Sequence, residues 1–532
     1  MREFARLYAA LDATTATRGK LEALARYFAT AEPADAAWAV YFLSGGKPRQ
    51  LVPTRVLRAL AVEHAKIPDW LFEESYQAVG DLAETIAHLL PETGSGTQVP
   101  FAEWVESRLL ALRGLDEAGV RERVVAWWME LDALERFVFN KLVTGSFRVG
   151  VSKQLVVRAL AETFGLDAKR VAERLAGSWT PSAGAFLNLV AKEGEARAIG
   201  APYPFFLAHP LQEAPDTLGE RDAWQAEWKW DGVRAQLVRR GGAVFLWSRG
   251  EELVTQRFPE VAAAAGALPE GTVLDGEILA WREGETAPLG FATLQVRLNR
   301  KSVSAKLLAE APVAFLAYDL LERDGEDVRA RPLAERRESL ETLLAAHAHW
   351  PTTLSPAVDA TSWAALADAR SEARARGVEG LMLKRRASAY GVGRTRGDWW
   401  KWKIDPMSVD AVLVYAQRGH GRRAGVYTDY TFAVWDGDAL VPFAKAYSGL
   451  TDAEFRQVDA FIRRNTFEKF GPVRSVKPEL VFEIGFEGIQ SSPRHKSGIA
   501  VRFPRMLRWR TDKRPEEADG LEALRTLLEP RR

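Results

Sequence analysis

The sequence predicts a multi-domain protein with an all-α N-terminal region, an α+β middle region built on antiparallel sheets, and a small β-barrel at its C-terminal end. Three observations carry that expectation. The chain has 532 residues, longer than a single hydrophobic core usually grows, so about two to four domains are expected. From Met1 to about Gly200 apolar residues recur at spacings of three and four, the period of an amphipathic helix. From about Arg221 onward the texture changes to short runs that alternate apolar with polar, the period of a half-buried strand.

The helical period is clearest in VRERVVAWWMELDALERFVFNKLV and SKQLVVRALAETFGLDAKRVAERLA, and the polar, glycine-containing PETGSGTQVP from Pro91 reads as a loop between helices. AIGAPYPFFLAHPLQEAPDTLG interrupts the periodicity with Pro and Gly and reads as a connection or an extended arm. Next, AEWKWDGVRAQLVRR and AVFLWSRG flank Gly241 and Gly242, the signature of a β-hairpin. LDGEILAW and VAFLAYDLL continue the strands, and helical patterns lie around Leu333 to His347 and Ser362 to Arg376. After Pro406 come DAVLVYAQR, YTFAVWDG, LVPFAKAY and ELVFEIGFEGI, with one helical pattern near Asp452 to Arg464, and many short strands of this kind suggest a barrel. The expected domains are therefore 1–205, 206–405 and 406–532.

Composition narrows the function classes. No apolar run is long enough to cross a bilayer, and the N-terminus lacks the apolar core and small-residue cleavage site of a signal peptide, so the cytoplasm is the expected compartment. With no cysteine, the chain has no disulfide, no thiolate zinc site and no thiol nucleophile. The formal charge of +1 makes no global case for nucleic acid. A local basic cluster, Arg494, Lys496, Arg502, Arg505, Arg508, Arg510, Lys513 and Arg514, reads either as a solvated face or as a nucleic-acid contact.

Lys229-Trp230-Asp231-Gly232 places a lysine at a strand end before a tight turn. Alone this is an ordinary strand ending in a turn. As chemistry it is a nucleophile, which must act as the neutral amine because only that form has a lone pair. Further short motifs follow in order: Ser248-Arg249-Gly250, Leu274-Asp275-Gly276-Glu277, Tyr318-Asp319, Glu379-Gly380-Leu381-Met382-Leu383-Lys384, Trp400-Lys401-Trp402-Lys403, Arg502-Phe503-Pro504-Arg505, and Arg510-Thr511-Asp512-Lys513. Singly, Glu277 and Glu379 are also turn acids beside glycine, Lys401 and Lys403 alternate with tryptophan as any half-buried strand does, and Tyr318 fits a plain core. The ordered set resembles the motifs of the covalent nucleotidyltransferase superfamily, most closely the ATP-dependent DNA ligases.

That resemblance implies a helical DNA-binding domain, an ATP-grasp-like adenylation domain and an OB-fold barrel, in a monomer that encircles nicked duplex DNA and uses ATP with Mg2+, or Mn2+ in its place. By the resemblance Lys229 is the catalytic residue and carries AMP. Glu227 reads the adenine amino group, Tyr318 stacks on the base, and Arg234 and Arg249 lie near the ribose, the triphosphate or the 5′-phosphate of the nick. Glu277 contacts the ribose or the metal, Glu379 binds the metal, and Lys401 and Lys403 grip the α-phosphate. Arg510, Asp512 and Lys513 serve the triphosphate during the first step. FVFNKLVTGSFRVGVSK resembles a DNA-binding stretch of larger ligases, so Lys141, Arg148 and Lys153 join Arg502 and Arg505 as expected DNA contacts. A routine turn between helices is the alternative there. The nearest likeness is to bacterial repair ligases, including a cisplatin-damage-response group, with roles in recombination or replication as well and repair proteins as partners. An RNA or hybrid ligase and a catalytically inactive DNA scaffold are the other readings.

Overall fold

The computed structural model of the chain describes every residue except 47–49, 92–93, 146, 148, 178, 193–198, 299, 301–302, 420–424 and 529–532. The chain forms two compact units, one of Met1–Ala9, Lys47–Arg148 and Asp405–Arg532 and the other of Ala10–Gly46 and Val149–Ile404. The N-terminal helices contribute to both. Among the described residues no strand precedes Phe206, and no helix is long and apolar enough to cross a membrane.

In the first unit the continuous helical pattern over VRERVVAWWMELDALERFVFNKLV resolves into two helices, Glu117–Glu130 and Ala133–Thr144. The break has a local cause. Asp132 accepts a bond from the Glu135 amide while the Glu135 side chain returns to the Asp132 amide, a capping box that starts a new helix. Gly145 ends that helix with φ +69°, the left-handed conformation that suits glycine. Arg136 is fully buried between the helices and donates to the carbonyls of Trp128, Leu90 and Leu131.

The C-terminal part of this unit is sheet-rich. The long strand Met407–Arg418 pairs along one edge with Tyr427–Asp436, which in turn pairs with Ala439–Ala446. Its other edge forks: the first half pairs with Val481–Phe486 and the second half with Val473–Val476. Arg505–Trp509 extends one branch and Thr466–Phe470 the other. Among the described residues these pairings do not close into the ring that the barrel expectation requires, because the fork leaves two separate ends. The expected helix near Asp452 is present as Asp452–Arg464, capped by Thr451.

In the second unit, the helices Thr17–Thr30, Pro33–Leu43, Lys153–Phe164, Ala168–Arg174 and Ala183–Val190 precede two main sheets and a short parallel pairing of Phe206–Leu207 with Gly393–Arg394. The larger sheet runs Ala243–Ser248, Val233–Arg240, Thr272–Ala280, Val313–Arg323, Glu326–Asp327, with Thr352–Leu354 added in parallel to Val313–Arg323. Its hairpin is the expected one: Arg240 pairs with Ala243 across Gly241 (φ +60°) and Gly242 (φ +73°), the double left-handed turn that matches strand twist. The smaller sheet runs His209–Pro210, Trp399–Lys403, Val378–Arg385, Trp224–Trp230. The Pro-rich arm thus supplies one short parallel edge strand.

Gly380 shows how tightly the smaller sheet is built. Its φ is +135°, and a methyl group there would meet the Trp402 carbonyl oxygen at 2.4 Å and the Lys403 Cα at 2.7 Å. Gly380→Ala should therefore destabilise the protein by more than about 1 kcal/mol, read as a lowered thermal midpoint by circular dichroism. An unchanged midpoint would contradict this packing.

Candidate active site

Strand alternation sorts the smaller sheet into two faces. Trp224, Ala226, Leu381, Leu383, Trp400 and Trp402 pack into one apolar cluster on the first face. Cross-strand register aligns Glu227 with Met382 and Met382 with Lys401, and aligns Gln225 with Lys384 and Lys384 with Trp399. Gln225, Glu227 and Lys229 are therefore on the same side as Lys384, Lys401 and Lys403. The tryptophans that alternate with Lys401 and Lys403 do pack, and in doing so they turn the intervening lysines to the opposite face, where Lys401 lines a cleft.

That cleft encloses about 770 Å3, including its open mouth, and is lined by Glu227, Lys229, Arg234, Arg249, Glu277, Tyr318 and Lys401, among others. The Lys229 ammonium donates to Glu379 Oε2, and Lys403 Nζ lies 3.3 Å from the same oxygen. Burial alone would raise the Glu379 carboxyl, but Lys229 and Lys403 outweigh it and hold it below its usual value. Lys401 is shifted down by burial and by Lys403, Lys229 and Arg394. The site concentrates positive charge on one wall, as binding of a polyanion requires.

Glu277 answers from the facing sheet, where it pairs with Arg234 across the strands. Its side chain keeps partial exposure, yet burial pushes its carboxyl up to about 8, against the pull of Lys229 and Arg234 and with help from Asp275 and Glu379. Arg234 grips Asp275 in a two-pronged pair (Nε–Oδ1 3.1 Å, Nη2–Oδ2 2.6 Å) and donates from Nη1 to the Phe206 carbonyl at 2.7 Å. Most of its fork is thus used within the protein, and it stands against the rings of Phe205, Tyr318 and Trp399. Arg249 is exposed at the rim, its amide donating to the Arg234 carbonyl.

Sequence reading attached no role to Lys384, Asp275 or Tyr390. Lys384 Nζ bonds Glu227 Oε2 at 2.7 Å, and the Tyr390 hydroxyl donates to Asp275 Oδ2 at 2.8 Å. Lys384 ends the EGLMLK motif and Asp275 lies inside LDGE, so a signal existed, but Tyr390 carries none.

Other expected residues lie outside this cleft. Lys141 pairs with Asp81. Lys153 starts its helix paired with Glu251, and also donates to the Leu175 carbonyl at 2.8 Å. Arg148 lies outside the described residues. Arg502 stacks on Phe503, and Arg505 Nη1 lies 3.3 Å from Glu487 Oε1. Arg510 is pinned by Asp512 and by Asp410 Oδ2 at 2.7 Å, which also takes Lys513 Nζ at 2.6 Å.

Comparison with known proteins gives a consistent picture. Three family models match successive parts of the chain: DNA ligase N terminus over residues 1–161, ATP dependent DNA ligase domain over 205–403, and ATP dependent DNA ligase C terminal region over 423–513. The chain is 34% identical to a probable DNA ligase of Koribacter versatilis, over 96% of this chain and 94% of that protein. DNA ligase 1 of Korarchaeum cryptofilum is 29% identical, over 99% of this chain and 98% of its own length. The solved structure Pmar-Lig_PreS3 shares the fold at a TM-score of 0.63 and 16% identity, covering 95% of this chain and 99% of that one.

The raised carboxyl of Glu277 sets a stability test. Between its ordinary value of 4.5 and about 8, the folded protein holds a proton that the unfolded chain has released. Stability contributed by this group therefore falls as pH rises through that window. Glu277→Gln removes the ionisation, so it should raise the melting temperature of the unliganded protein near about pH 9, with the gain shrinking toward about pH 5. Calorimetry at both pH values checks this, and a difference independent of pH would contradict it.

Proposed function

The chain belongs to the ATP-dependent DNA ligase family, and on that premise we propose that it seals nicks between 3′-hydroxyl and 5′-phosphate ends of duplex DNA through AMP carried on Lys229. The observation that supports this most directly is the Lys229–Glu379–Lys403 cluster, whose Lys229 lines a cleft together with Glu227, Arg234, Glu277 and Tyr318. In the first step the neutral Lys229 amine attacks the α-phosphorus of ATP. A P–N bond forms, the bond to the bridging oxygen breaks, pyrophosphate leaves with the electron pair, and the nitrogen then sheds a second proton to solvent to become the neutral phosphoramidate. The ammonium proton must leave first, and Glu379 Oε2, already bonded to it, is the adjacent acceptor. Lys403 and Lys401 then hold the phosphate charge that grows in the transition state.

AMP next passes to the 5′-phosphate of the nick, and the 3′-hydroxyl displaces it. Among the described residues no cluster of three or more acids or histidines forms a metal site by itself. Glu277 and Glu379 nevertheless fit Mg2+, or Mn2+ in its place, because a hard cation is commonly held by about one or two protein carboxylates plus phosphate, and Glu277 is a carboxyl whose ionisation a cation would relieve. Such an ion supplies charge neutralisation at the phosphates.

Glu227 and Tyr318 would receive the base, while Arg234 supports the wall and Arg249 meets phosphate or ribose. For DNA, the expected contacts Lys141, Lys153 and Arg505 are each paired with an acid, so phosphate would replace Asp81, Glu251 and Glu487 as their partners. Arg148 and Arg502 complete that set. Three domains, the last of OB type, and a monomeric enzyme acting in repair form part of the same reading.

Incubation of purified protein with ATP, NAD or GTP and a nicked duplex tests the proposal: sealing is expected with ATP on DNA, and sealing of nicked RNA alone would overturn it. Lys229→Ala should abolish both AMP labelling and sealing while leaving DNA binding nearly intact. Lys513→Ala, which removes a cation assigned to the first step, should cut AMP labelling at least about tenfold yet permit closure of a nick already bearing AMP. Equal loss in both assays would contradict that assignment.

A further inference from the structure

Lys384 takes part in no step above, although it lines the same cleft. Its side chain is 1% exposed and that of Glu227 2%, whereas Lys229 keeps 21%. Strand pairing with Gln225 on one side and Trp399 on the other fixes its position. Its ammonium bonds Glu227 Oε2 at 2.7 Å and stands 4.1 Å from the centre of the Tyr318 ring and 4.5 Å from that of Trp399. The other Glu227 oxygen accepts from Gln225 Nε2 at 2.6 Å. A buried charge held between two aromatic rings and one carboxylate is a fixed counter-ion.

The consequence concerns what Glu227 can offer a base. An ionised carboxylate only accepts hydrogen bonds, whereas a protonated one also donates. Bonded to Lys384 through one oxygen and to Gln225 through the other, Glu227 is held in a single orientation. We propose that Lys384 is a positioning residue that fixes the acceptor oxygens of Glu227 where the base is read, and that it thereby selects a 6-aminopurine, whose exocyclic N–H donates, over a 6-oxopurine, whose oxygen would face the carboxylate. The inference rests on the reading of Glu227 as the base-contacting acid. It deepens that reading by locating selectivity in the ion pair.

The experiment measures covalent labelling of the full chain by ATP and by inosine triphosphate, whose base carries oxygen in place of the 6-amino group. The wild type should favour ATP strongly. In Lys384→Met the preference should fall at least about tenfold, because Glu227 then loses the partner that fixes it, while Lys384→Arg, which keeps the charge, should retain most of it. A merely structural lysine would slow both nucleotides together and leave their ratio unchanged, which would overturn the inference. Glu227→Gln separates the two claims. If it keeps the wild-type ratio, the assignment of Glu227 to the base fails; if it lowers the ratio but Lys384→Met does not, only the role of Lys384 fails. Should Lys384→Met melt at the assay temperature, the double variant Glu227→Gln with Lys384→Met, which removes both buried charges, must show the lowered ratio, and a wild-type ratio there would overturn the inference.

Discussion

Glu379 faces two ammonium groups, Lys229 and Lys403, through a single oxygen, and the remainder of the cleft is arranged around that constraint. Two lysines held this close repel each other unless a carboxylate stands between them. The carboxylate must come from a third segment in register, so Trp224–Trp230, Val378–Arg385 and Trp399–Lys403 have to form one sheet. Close approach of the last two strands in turn requires Gly380, where no side chain fits. The cluster is thus a property of strand pairing, and it also explains why tryptophans intervene: they anchor the opposite face in an apolar cluster and prevent the strands from slipping by one residue.

The same cleft shows where stability has been given up for chemistry. Glu277 sits where burial opposes its charge, an arrangement that lowers stability at neutral pH but leaves a carboxyl poised for a cation or a polar ligand. Arg234 and Asp275 do the reverse, matching each other so well that Asp275 is completely buried while Arg234 keeps only 15% of its side chain exposed. Breaking one partner of such a pair typically costs about 3–5 kcal/mol. That wall of the cleft is therefore firmly paired, while Lys229, Glu379 and Lys403 keep some exposure. Preorganised walls around a few adjustable charges suit a reaction whose substrate brings most of the negative charge.

Much of this was legible in the chain. Gly241-Gly242 between alternating runs specified a hairpin, since two glycines permit the left-handed turn that joins strands tightly, and Asp452–Arg464 announced itself by helical period. Lys229 at a strand end followed from the glycine three residues on. What could not be read was any partnership between distant positions. Glu227 and Lys384 are 157 residues apart, and Arg234 and Asp275 41; periodicity reports which face a residue occupies but not which residue faces it. The break at Asp132 was hidden because the apolar pattern runs on through a capping box. The C-terminal strands were foreseen singly, yet their order was not, because one long strand divides its edge between two neighbours.

The most direct measurement is the location of the nucleotide on the protein. After incubation with ATP in the absence of DNA, peptide mass spectrometry should find AMP on the peptide that contains Lys229, and pyrophosphate added back should remove it. A stable adduct on Lys401, Lys403 or any other residue, with the Lys229 peptide unmodified, would contradict the account, as would nick sealing by a protein that never acquires AMP.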